Sequence, residues 1–166
     1  MHLAAMQHPD DHDTTLDVVR ALWSVHHALE GASERMETRI GLTAAQRIVV
    51  RTLGRYPGTT PGQLAELLGV HPGTVSTQIR RLEARGLVTR LRDPRDARRV
   101  MLGLTREGRA FDRPMEGTVE QALHAAIGTI PAADVTTTLA TLRSFREALA
   151  RVGRDSETAV RKGGTR

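Results

Sequence analysis

The sequence predicts a mostly helical α+β fold, and three observations carry that prediction. Apolar residues recur with helical spacing along most of the chain, two short helices with clear start and stop signals adjoin at a glycine turn, and a charged segment separates two strand-like runs. The chain has 166 residues and is 39% hydrophobic, enough for one compact helical core. Its aromatic content of 2% argues against a platform that stacks single-stranded bases.

Missing residue types and motifs exclude several classes of protein. The chain has no cysteine, which excludes disulfides, thiolate metal sites and thiol redox switches. It lacks a signal-peptide pattern and any apolar run near the ~20 residues of a membrane span, so we expect a cytoplasmic protein with no membrane partner. It also lacks a nucleophile elbow, a zinc-protease helix, a phosphate loop and a dinucleotide fingerprint, which predicts neither enzymatic activity nor a cofactor.

The first predicted helix spans 13–41 and follows a polar, flexible tail at 1–12. Gly41 ends it, and its three- and four-residue apolar steps are Leu16, Val19, Leu22, Trp23, His26, Leu29, Met36 and Ile40. The tail contains a group of metal-ligand residue types, namely His8, Asp10, Asp11, His12 and Asp13. Such a group is either a divalent-metal site or a solvated terminus, and we favour the solvated terminus, so no metal is predicted.

The second predicted helix begins after Thr43. Thr43 and Gln46 have the spacing of a capping box, in which each side chain bonds the other residue's amide. An apolar side follows, and a turn sequence at 56–58 ends the helix; the apolar residues are Ile48, Val49 and Leu53.

Two further helices are the most strongly specified part of the chain. Thr60 and Gln63 form a second capping box, Leu64, Leu67 and Leu68 give the first helix a buried face, and Gly69 ends it. Pro72 opens the next helix, whose buried side is Val75, Ile79 and Leu82. Two short helices joined by a tight glycine turn are typical of a helix-turn-helix, here at 60–86.

A charged hairpin is predicted directly after these helices. The strands are 87–91 and 100–104, and a tip rich in turn residues and arginine joins them. Eight arginines and three acidic residues lie between Arg80 and Arg99, so this stretch accounts for the whole formal net charge of +5. A focused basic stripe is the electrostatic footprint of a polyanion site.

The segment from Leu64 to Gly108 resembles the core of the MarR (multiple antibiotic resistance regulator) family. The resemblance rests on the helix-turn-helix, the helix end RLEARGLV, Asp96 and Arg98 in the hairpin, and LT-x-x-G at 104–108. It implies a winged helix-turn-helix whose N- and C-terminal helices form a dimerisation region. It also implies a homodimer that binds double-stranded operator DNA.

The resemblance also implies roles for individual residues. Arg98 would enter the minor groove, and Asp96 would brace the wing by pairing with a neighbouring arginine. The helix opened by Pro72 would be the recognition helix, and its exposed side and the wing tip together give the DNA-facing set: Pro72, Gly73, Thr74, Ser76, Thr77, Gln78, Arg80, Arg81, Arg92, Arg95, Asp96, Arg98 and Arg99. Two departures from the family pattern are His71 at the helix cap and Pro114, which predicts a kink or break in the fifth helix.

Heptad-like spacing near the C-terminus predicts a dimerisation helix. The predicted contacts are Leu16, Val19, Leu139, Leu142, Phe145 and Leu149, and the alternative is that these helices pack within one monomer. The predicted boundaries are a dimerisation helix at 13–41, a DNA-binding domain at 42–108 with its wing at 87–104, dimerisation helices at 105–152 and a flexible basic tail at 153–166.

Members of the family often bind small aromatic acids in a pocket between the dimerisation helices and the DNA-binding domain. Residues placed to form such a pocket for an aromatic or phenolic effector are Trp23, His26, His27, Met36 and Arg51. The alternative, which we favour, is that Trp23 and His26 are core or dimer contacts. The predicted function is a repressor released by an effector, and the alternative is an architectural or protein-interaction winged-helix module.

Overall fold

The computed structural model describes the backbone of residues 11–93, 96 and 98–163. Within these ranges the elements are α1 (Asp11–Ile40), α2 (Ala44–Arg55), α3 (Pro61–Leu68), α4 (Pro72–Ala84), β1 (Val88–Arg92), β2 (Val100–Leu104), α5 (Arg106–Ala110), α6 (Val119–Ile127) and α7 (Ala132–Gly163). The chain forms two compact units that divide between Gln121 and Ala122. Across the described residues, no helix combines the length and the apolar content that a membrane crossing requires.

The predicted helix caps are confirmed atom by atom. At α3, the Thr60 hydroxyl accepts from the Gln63 amide at 3.3 Å, and the Gln63 side chain accepts from the Thr60 amide at 3.0 Å. Thr43 and Gln46 form the same reciprocal pair at α2. Gly69 ends α3 in the left-handed region with φ 64°, which a residue with a Cβ rarely adopts. The local sequence therefore sets where α2 and α3 begin and where α3 ends.

Thr60→Ala is expected to lower the free energy of unfolding by about 1 kcal/mol, because one amide of the first turn loses its acceptor. Urea denaturation measures the change. Thr38→Ala is the matched control, since the Thr38 hydroxyl is exposed in mid-helix and donates to the Glu34 carbonyl, where it satisfies no helix end. Equal losses in the two variants would contradict a capping role.

One apolar core joins α2, α3, α4 and the hairpin. Its fully buried members include Leu53, Leu64, Ile79 and Leu102. Val75, Ile79 and Leu82 are buried as predicted, whereas Ile48 and Leu67 are half exposed, contrary to their predicted inward faces. On α2 the buried positions are Gln46, Arg47, Val49, Val50 and Leu53. The inward face is therefore rotated relative to the prediction, and a charged residue occupies part of it.

The hairpin is antiparallel, with Val88 opposite Leu104 and Arg92 opposite Val100. Its second strand is also tied to the loop after α2, because the Leu102 amide donates to the Thr59 carbonyl at 2.9 Å. Val88, Leu102 and Leu104 are buried in the core. The base of the wing is thus part of the helical core, and its tip extends beyond it.

The LT-x-x-G motif closes the hairpin onto the helices. The Thr105 hydroxyl donates to the Gly86 carbonyl at 2.7 Å and accepts from the Gly108 amide at 2.9 Å. The Thr105 amide donates to the Leu87 carbonyl at 3.1 Å. One threonine therefore caps α5 and ties it to the start of the wing.

The C-terminal half differs from the prediction in its extent. The predicted break at Pro114 is confirmed, since α5 ends at Ala110 and α6 begins at Val119. Helix α7 runs to Gly163, so it extends into the segment predicted as a flexible tail at 153–166, and no proline interrupts it there. Residues 164–166 lie outside the described residues.

The N-terminal prediction is mostly untested. His8 and Asp10 lie outside the described residues, and so does the predicted tail up to residue 10. Helix α1 begins at Asp11, two residues earlier than the periodicity indicated, and Asp13 is exposed.

Candidate nucleic-acid interface

The exposed start of α4 is the first component of the candidate interface. His71 precedes Pro72, and its Nδ1 atom accepts from the Gly73 amide at 3.1 Å, so an imidazole provides the cap. Pro72, Gly73 and Thr74 are exposed, while Val75 is fully buried. The buried side anchors α4 in the core and leaves its amino-terminal turn at the surface.

Polar side chains continue along the outer side of α4. Ser76, Thr77 and Gln78 are half-buried, and Arg80 and Arg81 are exposed. The Arg80 Nη2 atom lies 3.5 Å from the Thr77 hydroxyl, which itself donates to the Gly73 carbonyl at 3.1 Å. The Gln78 Oε1 atom is buried and has no hydrogen-bond partner among the described residues. This side of α4 therefore offers small hydroxyl groups and guanidinium groups together.

The wing tip is shaped by main-chain hydrogen bonds and by one aspartate. The Asp93 amide donates to the Arg99 carbonyl at 3.0 Å, and the Arg99 amide donates to the Asp96 carbonyl at 2.9 Å. The Asp96 carboxylate accepts from the Arg98 amide at 3.0 Å. The described contact of Asp96 is thus with the backbone of Arg98 and not with a guanidinium, and it fixes the turn that carries Arg98. Arg95 lies outside the described residues.

Two arginines of the basic stripe are exposed but have partners within the protein. Arg85 donates to the Gly41 carbonyl at the end of α1, and Arg90 pairs with Glu83 at 2.7 Å. Both guanidinium groups bind partners within the protein. The DNA-contact surface inferred from counting arginines is therefore too broad. Arg80, Arg81, Arg92, Arg98 and Arg99 are exposed.

Among the described residues, the members of the predicted effector pocket differ widely in exposure. Met36 is only 1% exposed, whereas Trp23 is 71% exposed. His26 and His27 are exposed beside Glu30, at 3.4 and 3.7 Å. Arg51 pairs with Asp112 at 2.7 Å. It lines an open cleft of its own with Thr52, Gly54, Arg55, Tyr56 and Asp112.

The predicted dimer contacts lie at the surface of the chain. Leu16 and Val19 on α1 are each 54% exposed, and Leu149 on α7 is 64% exposed. Leu139 and Leu142 are also exposed, and Phe145 is half-buried. Apolar faces on both helices are therefore open to solvent in a single copy.

Sequence reasoning missed a set of charged residues around Arg47. This side chain is 1% exposed, and it bonds Glu120 and the segment that follows α5. The available signal was a charged residue inside the run from Gln46 to Val50, where a buried helix face needs compensation for the charge.

Comparison with known proteins finds relatives of most of the chain. A MarR family model matches residues 40–99. The multiple antibiotic resistance protein MarR of Escherichia coli is 33% identical over 100 residues, 60% of this chain and 69% of that protein. An HTH-type transcriptional repressor of Mycobacterium tuberculosis is 28% identical over 116 residues, 70% of this chain and 78% of that protein.

Solved structures agree with the sequence relatives. A mutant of Escherichia coli MarR in complex with operator DNA has a TM-score of 0.64 and 27% identity, over 82% of this chain and 99% of that one. Bordetella bronchiseptica BpsR, whose DNA binding is regulated by 6-hydroxynicotinic acid, has a TM-score of 0.61 and 26% identity, over 78% and 98%. These relatives are transcription regulators and not enzymes. The chain belongs to the MarR family and is a DNA-binding winged helix-turn-helix transcription regulator.

Proposed function

We propose that the protein is a homodimeric repressor that binds a pseudopalindromic operator in double-stranded DNA and is released by a small aromatic or phenolic ligand. The observation that carries this proposal is a capped helix with an exposed polar start, joined by the Glu83–Arg90 pair to a wing that exposes Arg92, Arg98 and Arg99. A helix of this kind fits the major groove, and arginine suits the adjacent minor groove. Because the target is chromosomal DNA, the proposed site of action is the cytoplasm.

The proposed contacts follow from this placement. Major-groove and phosphate contacts are assigned to Pro72, Gly73, Thr74, Ser76, Thr77, Gln78, Arg80 and Arg81. Wing contacts are assigned to Arg92, Arg95, Arg98 and Arg99, with Asp96 holding the turn. The bond between the Asp96 carboxylate and the Arg98 amide supports this division of roles.

The dimer proposal rests on the exposed apolar faces of α1 and α7. Both helices carry leucine and valine side chains that are at least half exposed in a single copy. Burying this apolar surface against a second copy would stabilise a dimer. A second copy related by twofold symmetry covers the same face of each subunit. Such a dimer places two recognition helices about 34 Å apart, one turn of DNA.

The exposure of the individual residues bears on where a ligand could bind. Trp23, His26 and His27 are exposed on α1, and contact with a ligand there requires the second subunit to enclose them. Met36 is buried and would serve only as a wall. Arg51 faces its own cleft beside Tyr56, where the carboxylate of an aromatic acid would compete with Asp112 for the guanidinium. The similarity to BpsR supports an aromatic acid as the ligand class.

Selection from a randomised duplex library tests the proposal. We expect an enriched palindrome with half-site centres one DNA turn apart and an affinity at least about 10³-fold above that for random duplex. Light scattering is expected to give twice the mass of one chain. An architectural module would bind without enriching a palindrome, and that result would overturn the regulator proposal.

A further inference from the structure

Residues 111–120 run from the end of α5 into the first turn of α6, and through them the winged-helix core is connected to the C-terminal helices. We call this segment the joint. Pro114 has no amide hydrogen and cannot continue a helix through this segment. The carbonyl groups of Phe111 and Arg113 in the joint therefore lack the amide donors that a continuous helix would supply.

Arg47 supplies those donors from the inner face of α2. Its Nη1 atom donates to the Phe111 carbonyl, and its Nη2 atom donates to the Arg113 carbonyl at 2.6 Å. Its Nε atom bonds the Glu120 carboxylate at 2.5 Å. The side chain is 1% exposed, and Glu120 is 40% exposed. One planar guanidinium thus binds two carbonyl groups at the beginning of the joint and one carboxylate at its end.

Two further ion pairs bind the joint on either side of Arg47. Arg51 of α2 pairs with Asp112 at 2.7 Å, and Arg39 of α1 pairs with Glu116 at 3.7 Å. The three carboxylates recur every fourth residue, at 112, 116 and 120. Gly54 makes room for the first of them, since a Cβ atom there would lie 1.8 Å from the Asp112 Oδ2 atom.

A buried arginine restricts the positions of its hydrogen-bond partners more than an exposed arginine does. Desolvating a guanidinium is costly, and the cost is offset only when its hydrogen bonds are all made in a fixed geometry. The five donors of arginine lie in one rigid plane, so three acceptors on the joint must keep fixed positions together. Lysine, with one flexible ammonium group, does not impose this constraint.

We propose that Arg47 is a positioning residue for operator binding, which acts by holding the joint in one conformation. The covalent path from α4 to α6 and α7 runs through the joint, so its conformation limits which half-site spacings a dimer can bridge. The inference rests on the proposed function, because only a dimer that binds two half-sites has a spacing to select.

The test measures affinity for operators whose half-sites are moved apart or together in single base-pair steps, with a single half-site duplex as reference. The unmodified protein is expected to prefer one spacing by about tenfold or more, because simultaneous engagement fails when the geometry is wrong. Arg47→Met and Arg47→Lys are expected to reduce this preference to about twofold while half-site affinity changes by less than about twofold. Glu120→Gln is expected to give an intermediate loss of preference.

Glu107→Gln is the matched control, because it removes an exposed pair with Arg106, 3.7 Å away, without touching the joint. It is expected to keep the sharp spacing preference.

If the unmodified protein prefers one spacing and the folded Arg47 variants prefer it equally, this inference is overturned and the proposed function stands. If Arg47→Met fails to fold, an unchanged preference in Arg47→Lys and Glu120→Gln overturns it in the same way. If the unmodified protein has no spacing preference, the proposed function fails and the inference fails with it.

Discussion

Gly108→Ala is expected to lower the free energy of unfolding by about 3 kcal/mol, the upper part of the usual range for overpacking. A Cβ atom at this buried position would lie 2.0 Å from the Leu87 carbonyl oxygen. That oxygen belongs to the backbone and accepts from the Thr105 amide, so it cannot rotate away as a flexible side chain would. Relief requires α5 to move off the wing, which also disturbs the Thr105 cap. Urea denaturation followed by circular dichroism measures the loss.

Gly62→Ala is the control for Gly108→Ala, since it makes the same chemical change in another short helix. A Cβ atom there would meet nothing within 4 Å. The control is expected to be neutral or to stabilise the protein by up to about 1 kcal/mol, because alanine is the better helix former. If Gly108→Ala unfolds at the same urea concentration as Gly62→Ala, the close packing of α5 on the wing would be refuted.

Arg98→Ala is expected to weaken operator binding by about 10- to 100-fold, the effect of losing 1–3 kcal/mol at a specific contact. The physical reason is that the turn fixed by Asp96 presents this exposed guanidinium at the wing tip, where a narrow minor groove concentrates negative potential. Fluorescence anisotropy over a salt series measures both the affinity and the salt slope, which is expected to fall by about one. The mass in light scattering is expected to stay that of the unmodified protein.

Arg106→Ala removes the same charge from a position outside the wing. Its side chain is 94% exposed and pairs with Glu107 at 3.7 Å. Operator affinity is expected to change by less than about threefold, the small effect of a distant surface charge. Equal losses in Arg98→Ala and Arg106→Ala would mean that total charge, and not the wing, sets the affinity.

Local chemistry made the DNA-binding half predictable from sequence. A capping box needs only a threonine and a glutamine three residues apart, and both boxes are formed as predicted. Gly41 and Gly69 end their helices for an equally local reason, their positive φ angles of 75° and 64°. Pro114 ended α5 because proline lacks an amide hydrogen wherever it lies.

Long-range partners made the rest unpredictable. Nothing near Arg47 in sequence indicates that its acceptors lie more than 60 residues away, at Phe111, Arg113 and Glu120. Because a buried Arg47 was not foreseen, the apolar periodicity of α2 predicted that Ile48 faces the core, whereas its side chain is 53% exposed. Counting charges likewise assigned Arg85 and Arg90 to the basic stripe. The count could not show that Arg85 binds the Gly41 carbonyl or that Arg90 binds the Glu83 carboxylate.

The Glu83–Arg90 pair joins the end of the recognition helix to the first strand of the wing, and the bond from Leu102 to Thr59 ties the second strand to the loop after α2. The helix and both strands of the wing are therefore attached to one another within the same core. On the proposed function, the bases contacted in the major groove and the tract contacted in the minor groove would therefore keep a constant separation along the operator. A base pair inserted between the two tracts would misplace one of them relative to the protein, whereas a substitution would change only the contact at its own position.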